Sequence, residues 1–321
     1  MTRIAIGIAS RDRPRMVADL LDSVGRLEAG DDLELTVILV ENGDGTALLR
    51  PVANFAAAHE RIRIHHLVEP RLGIVFARNA ALEFAINSDF DSLAFVDDDE
   101  VVAPRWLVEL SAEQRGGNHD ITGGPVEAFI GPSPLGYWEA LVWKGLSSRS
   151  RHNQKTAEDR KTGGREADVV ISTNNCLVSL PFVRKVGLLF NEQYNLTGGE
   201  DTRFFRDATR LGARTGWAPK AVVSEEIVRE RLAPSYQLRR ARDHALVSFY
   251  DKFEGRPVRK WLRAPVSAVF KLLAGCGLLL LAPVTSGATF FNSLRAFGEA
   301  AGRAQGLMGI KRKPYARTTG N

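Results

Sequence analysis

The chain has 321 residues, 44% of them apolar and 25% charged, which is the make-up of a folded globular protein and excludes wholesale disorder. A net charge of +5 points to an anionic partner without naming it. The two cysteines, Cys176 and Cys276, exclude a disulfide framework and a cysteine-rich zinc site, and they fit a reducing compartment.

The length suits one large α/β domain with an appendage. Met1-Thr-Arg-Ile-Ala-Ile6 has no apolar core of signal-peptide length, so the first domain is expected in the cytoplasm. Ile4 to Ile8 reads as a buried strand that Ser10-Arg-Asp-Arg-Pro14 ends, with Pro14 suited to a helix's first turn. Met16, Val17, Leu20, Leu21, Val24 and Leu27 recur at helical spacing and predict an amphipathic helix over 14–27. Leu33 to Val40 is a second strand, closed by the turn-forming Glu41-Asn-Gly-Asp44. Helix 48–59, strand 62–68 and helix 74–87 follow, and the apolar run from Ser92 leads into Asp97-Asp98-Asp99-Glu100.

Strands and helices alternating in this rhythm predict a mostly parallel sheet with helices on its faces. Ligands bind such sheets beyond the carboxyl ends of the strands. Ser10, Glu41 and Asp97 to Asp99 all fall at such ends and are expected to face one crevice. Beyond a helix near 104–114, the pattern predicts a strand over 120–129, a polar mobile loop over 147–164 and a strand over 169–180 carrying Thr173-Asn174-Asn175. Thr197-Gly-Gly-Glu-Asp201 then heads a helix running to about Leu211.

Three consecutive aspartates repel one another unless something positive binds them. Carboxylate oxygens suit Mg²⁺ or Mn²⁺, which one or two carboxylates hold together with a substrate's phosphates. A solvated acidic turn is the plain alternative. Glu200 is accounted for in part by the helix dipole it caps. Asp201 is less easily explained that way, because Gly198 and Gly199 allow another molecule close to the backbone. No histidine pair has a ligand spacing, so none is assigned to metal, and packing is preferred over sugar stacking for Tyr137, Trp138 and Trp143.

These motifs, taken as an ordered set over the first three quarters of the chain, resemble family 2 glycosyltransferases of the GT-A fold, and among them bacterial succinoglycan-type exopolysaccharide enzymes. Ile-Gly-Ile-Ala-Ser-Arg-Asp-Arg-Pro is similar to the family's opening strand and turn, with Ser10 at the usual threonine and Arg13 beside it. Val40-Glu-Asn-Gly-Asp44 resembles the segment whose acid, here Glu41, contacts the uracil or ribose. Gly73-Ile-Val-Phe-Ala-Arg78-Asn79 resembles the nucleotide-side segment. The resemblance assigns metal and diphosphate duty to Asp97 and Asp99, donor binding also to Asp98 and Glu200, and the role of catalytic base to Asp201. Val223-Ser-Glu225 with Arg231 resembles the segment that closes the site. Gln237-Leu-Arg-Arg240 resembles the Gln-x-x-Arg-Trp motif of processive synthases, but Ala241 replaces the tryptophan, which favours single addition.

The resemblance implies a Rossmann-like GT-A domain over 1–232, with a nucleotide-sugar half at 1–125 and an acceptor half at 126–232. It further implies an inverting transfer from a nucleotide-sugar, UDP by family habit, to a lipid-linked or saccharide acceptor. Region 233–321 is expected to be a basic helical extension. Residues 229–263 hold ten basic and four acidic residues, and the apolar run 264–284 after them is interrupted only by Lys271. Basic residues flank that run on both sides, Lys311-Arg-Lys313 among them, which favours a shallow or re-entrant insertion over a single span; with the resemblance, it implies a place at the cytoplasmic face of the inner membrane. A buried core helix is the alternative.

A sugar-nucleotide nucleotidyltransferase wants a glycine-rich loop after the first strand, where this chain has Ser10-Arg-Asp-Arg-Pro14. A lipid- or polyanion-binding module leaves Asp97 to Asp99 and Asp201 unexplained. No nucleic-acid-binding module is present, and the sequence is silent on oligomeric state.

Overall fold

The computed structural model describes residues 1–28, 30, 32–195, 198–253, 257–285 and 287–310. Its first third follows the expected order: β1 (Thr2–Ser10), α1 (Pro14–Val24), β2 (Leu33–Glu41), α2 (Leu49–Ala58), β3 (Arg63–Val68), α3 (Ile74–Ile86) and β4 (Ser92–Asp97). Pro14 occupies the first turn of α1, and the predicted stripe of Val17, Leu20, Leu21 and Val24 is buried. β1 pairs in parallel with β2 and with β4, so that Ser10 lies beside Glu41 and Ala9 beside Asp97. That register brings the three polar strand ends to one edge of the sheet.

The later elements are β5 (Glu100–Val102), α4 (Trp106–Gly116), β6 (Ile121–Gly123), β7 (Val126–Phe129), α5 (Tyr137–Thr162), β8 (Asn175–Ser179), α6 (Leu180–Val186), α7 (Glu200–Arg210), β9 (Thr215–Trp217), β10 (Val223–Glu226), α8 (Pro234–Phe253), α9 (Pro257–Leu280) and α10 (Phe290–Leu307). The main sheet runs β3-β2-β1-β4-β8-β6-β9, and a small sheet runs β5-β10-β7. Within the main sheet β8 is antiparallel to both its neighbours, and every other pairing is parallel. Alternate side chains of β1 serve opposite faces, as strand pleating requires. Ile4, Ile6 and Ile8 pack with α1, while Ala5 faces a second core containing Leu82 and Phe95. In that second core Phe190 stacks on Phe204 with ring centroids 4.1 Å apart.

Three expectations are corrected. The predicted strand over 120–129 is two strands in different sheets, parted at Gly124-Pro125. A Cβ on Gly124 would stand 2.4 Å from the Ala221 carbonyl oxygen, and proline has no N–H to continue a ladder. The predicted strand over 169–180 shortens to Asn175–Ser179, because a turn at Thr173-Asn174 delays its start and α6, with Pro181 in its first turn, ends it.

The predicted loop over 147–164 is the second half of α5. Its sequence contains no Gly or Pro before Gly163, yet only Ala157 is buried there, so no apolar stripe announces it. Tertiary contacts hold it instead: Lys161 donates to Glu113 and to the Trp217 carbonyl, and Ser150 and Gln154 both reach the Val126 carbonyl.

In the C-terminal region, α10 packs on α8 and α9. Gly298, Gly302 and Gly306 let α10 approach α8 closely; a Cβ on Gly302 would stand 2.3 Å from the Arg242 carbonyl oxygen. Trp261–Leu280 is long and apolar enough to cross a membrane, and only 11% of it is buried. Val266, Phe270, Leu273 and Leu280 are 64% to 79% exposed, which overturns the alternative of a core helix. Lys311-Arg-Lys313 and Thr197 lie outside the described residues.

Candidate active site

The carboxyl end of β4 turns sharply at Asp98 and Asp99 into β5. Glu100 holds this turn, accepting hydrogen bonds from the Asp97 N–H (2.9 Å) and the Asn174 amide (2.8 Å). The three aspartates consequently point to different partners. Asp98 faces inward, accepting from Ser10 Oγ at 2.6 Å and Arg13 Nη1 at 2.8 Å. Burial pushes its carboxyl up to about 6, although Arg13 and Ser10 pull the other way. Asp97 accepts from Arg78 Nη2 at 2.8 Å, and Asp99 from Arg231 Nη2 at 2.9 Å. Arg231 also donates to Glu225, and Gln237 donates to the Arg231 carbonyl, which fixes the residues after β10 over the turn.

Asp97 and Asp99 open on a cavity of about 500 Å³. Gly198, Gly199 and Thr202 from the head of α7 form part of its wall, and Arg240 and His244 from α8 another part. Gly198 and Gly199 have φ of +84° and +87°, backbone that side-chain-bearing residues rarely adopt. Asp201 sits in the first turn of α7, with Oδ1 accepting from the Thr202 N–H at 2.6 Å. Arg78 spans the gap between strand end and helix, donating to Asp97 and to Glu200 at 2.8 Å each. Burial opposes the charge on Arg78, but Asp97, Glu200 and Asp201 overcome it and hold the guanidinium protonated. Burial raises the carboxyls of Glu100, Glu200 and Glu225 above the ordinary range.

The donor set at Asp97 and Asp99 is all oxygen and lines one cavity, although Arg78 holds Asp97 Oδ1 and Arg231 holds Asp99 Oδ2, so a cation would have to share these carboxylates with the two arginines. The residue types suit a hard divalent ion, which Asp97 and Asp99 would hold together with a substrate's phosphates. A ready-made group of another kind, Glu113, His119 and Glu166, lies elsewhere, and the Lys161 ammonium already sits on its Glu113.

Of the residues expected at the site, Ser10, Arg13, Arg78, Asp97, Asp98, Asp99, Glu200, Asp201 and Arg240 are brought together. Glu41, Gly73 and Asn79 are not. Glu41 is only 1% exposed and accepts from the Ala47 and Leu48 N–H groups, with His66 Nε2 2.9 Å away, so it shapes its own loop. The Asn79 amide faces the interior and exchanges two hydrogen bonds with the Phe190 backbone. Gly73 caps α3 at φ +135°, its N–H donating to Asn42 Oδ1 at 2.8 Å. The sequence motifs gave no role to Asn42, to Glu100 or to His244. His244 had a signal: it lies four residues after Arg240 on the same face of α8. Its imidazole is pushed down by burial, then by Arg240.

Residues 5–171 match the model of the family described as "Glycosyl transferase family 2". The succinoglycan biosynthesis protein ExoM of Rhizobium meliloti (strain 1021) is 28% identical over 240 residues, covering 74% of this chain and 71% of that protein. The S. aureus protein TarS, solved in complex with UDP, superposes with a TM-score of 0.51 at 13% identity, over 97% of this chain and 92% of that one. The mannosyltransferase PcManGT from Pyrobaculum calidifontis, solved with GDP-Man and Mn²⁺, gives 0.59 at 15% identity, over 96% and 88%. Those two likenesses establish a GT-A-like fold. With the family model spanning more than half of its length, the chain belongs to glycosyl transferase family 2, and it is a glycosyltransferase.

Proposed function

We propose that this glycosyltransferase moves one sugar, with inversion, from a nucleotide-sugar to a lipid-linked or saccharide acceptor in bacterial exopolysaccharide or cell-surface glycan assembly. The observation that carries this reading is a juxtaposition: Asp97 and Asp99 open on a cavity walled in part by Gly198, Gly199 and Thr202, and Asp201, in the first turn of α7 behind that wall, is close enough to act on the charge of Asp97 and Arg78. Arg13, Arg231 and Arg240 on the same walls are placed to meet the charge that grows on a departing diphosphate. Asp201 would accept the proton of the acceptor hydroxyl as that oxygen attacks the anomeric carbon from the face opposite the leaving group. A positioned base of this kind contributes ~10² to 10⁴ in rate. Asp97 and Asp99 would hold Mg²⁺ or Mn²⁺, which when bound supplies Lewis-acid stabilisation of the diphosphate. Arg78 keeps the base-bearing helix and the aspartate turn at a fixed separation.

The succinoglycan relative supports the exopolysaccharide assignment, and TarS with UDP and UDP-GlcNAc supports a UDP-sugar donor. The exposed apolar face of α9 supports attachment at the cytoplasmic face of the inner membrane, peripheral or shallowly inserted, where a lipid-linked acceptor would be met. The test is a panel of nucleotide-sugars read by metal-dependent turnover and by protection from melting, applied to the native chain and to Asp201→Asn. The expected result is a variant that binds the same donor and transfers nothing. If donor affinity falls together with turnover, Asp201 is a binding group and not the base.

A further inference from the structure

A second cavity, of about 710 Å³, lies between α5, α8, α9 and α10. Its walls carry Arg149, Arg240, Lys252, Arg263, Arg295 and Arg303, with Glu299 as the one carboxylate among the lining residues. Glu299 is heavily shared, lying 2.7 Å from Lys271, 3.7 Å from Arg295 and 3.8 Å from Arg303. No carboxylate among the described residues lies within ion-pair distance of Arg149, Arg240 or Arg263. Like charges gathered in this way repel one another, so the cavity is built for a multivalent anion.

Two neighbours narrow what that anion carries. Arg240, His244 and Ser248 line this cavity and also the one that Asp97 and Asp99 open on, so the two spaces adjoin along α8. On the other side Arg263 and Ser267 belong to α9, whose exposed Val266, Phe270 and Leu273 continue away from the basic rim. An occupant of matching chemistry has an apolar chain at one end, phosphate in the middle and a sugar at the other.

We propose that this basic cavity binds the phosphate groups joining a sugar acceptor to its lipid, with the lipid lying along α9 and the sugar reaching past Arg240 and His244 toward Asp201. This deepens the reading of the chain as a transferase acting on a lipid-linked acceptor, and rests on it. Arg149, Lys252, Arg263 and Arg295 then act as acceptor-binding groups that touch no donor. The length of the sugar that fits is set by the distance along α8 between the two cavities.

The experiment measures binding of farnesyl diphosphate to the full chain in detergent, without divalent ions, beside inorganic diphosphate and farnesol as controls. The double variant Arg149→Ala/Arg263→Ala is compared with Arg149→Lys/Arg263→Lys, which keeps the charges. Both positions are exposed, so folding is expected to survive, and donor-induced protection from melting checks it. The expected result is farnesyl diphosphate binding well above either control, weakened about tenfold or more by the alanine pair and retained by the lysine pair. Equal binding by the alanine variant, or inorganic diphosphate binding as tightly as farnesyl diphosphate, overturns the proposal. The donor panel tests the parent reading independently: a chain that binds farnesyl diphosphate but is protected from melting by no nucleotide-sugar keeps this cavity and loses the transferase mechanism, and the converse loses only the cavity.

Discussion

Arg78 joins the two halves of the candidate active site. Its side chain is 7% exposed and its partner Glu200 13%, whereas Asp97 is 38% exposed and more fully screened. Removing one member of a buried ion pair costs about 3–5 kcal/mol, because the other charge is left without a partner. The solvent around Asp97 discounts that arm, so Arg78→Met is expected to cost about 3 kcal/mol, mostly through Glu200. The double variant Arg78→Met/Glu200→Gln should recover much of that stability in urea melts without recovering transfer. A single-variant loss under about 1 kcal/mol would place the pair in the class of surface ion pairs and remove its structural role.

At the scale of elements, α8 and α10 depend on the absence of side chains at Gly298, Gly302 and Gly306. Alanine in place of glycine favours an exposed helix by about 1 kcal/mol. At Gly302 the new Cβ would meet backbone at 2.3 Å, and backbone cannot step aside. Overpacking costs about 1–3 kcal/mol, so the clash outweighs the propensity. Gly302→Leu should lower the melting temperature and expose α9 to proteolysis; an unchanged or raised melting temperature would contradict the packing described.

The same helices carry a built-in reporter. Cys176 is buried, and burial pushes its thiol up to about 12, while Cys276 is exposed on α9. A soluble thiol reagent should therefore label Cys276 alone in the folded protein. Vesicles containing anionic lipid should suppress that labelling if α9 inserts. Labelling of Cys276 at the same rate with and without vesicles would show that α9 stays in water.

For the molecule as a whole, donor and divalent ion are expected to bind as a unit. A ligand at 100 times its dissociation constant stabilises the fold by about 2.7 kcal/mol, a rise of roughly 5 °C for a chain of this size. Chelation with EDTA should remove most of that rise for the right nucleotide-sugar. A rise that survives chelation would mean that Asp97 and Asp99 engage the donor without a metal.

The alternation of strands and helices up to Asp97 was legible in the sequence, because period-2 and period-3.6 patterns are local and each element's buried face is written in its own residues. The positions of Ser10, Asp97 to Asp99 and Asp201 at element ends were legible for the same reason. What tertiary structure decided is which partner each of those side chains takes. Arg78 and Glu200 are 122 residues apart, and Asp99 and Arg231 are 132 apart. No local pattern records such distances. Asn79 turned inward to Phe190, Glu41 turned into its own loop, and the polar half of α5 became a helix through contacts with Glu113, Val126 and Trp217. A side chain's direction depends on what the fold brings opposite it, and that is settled only when distant segments pack.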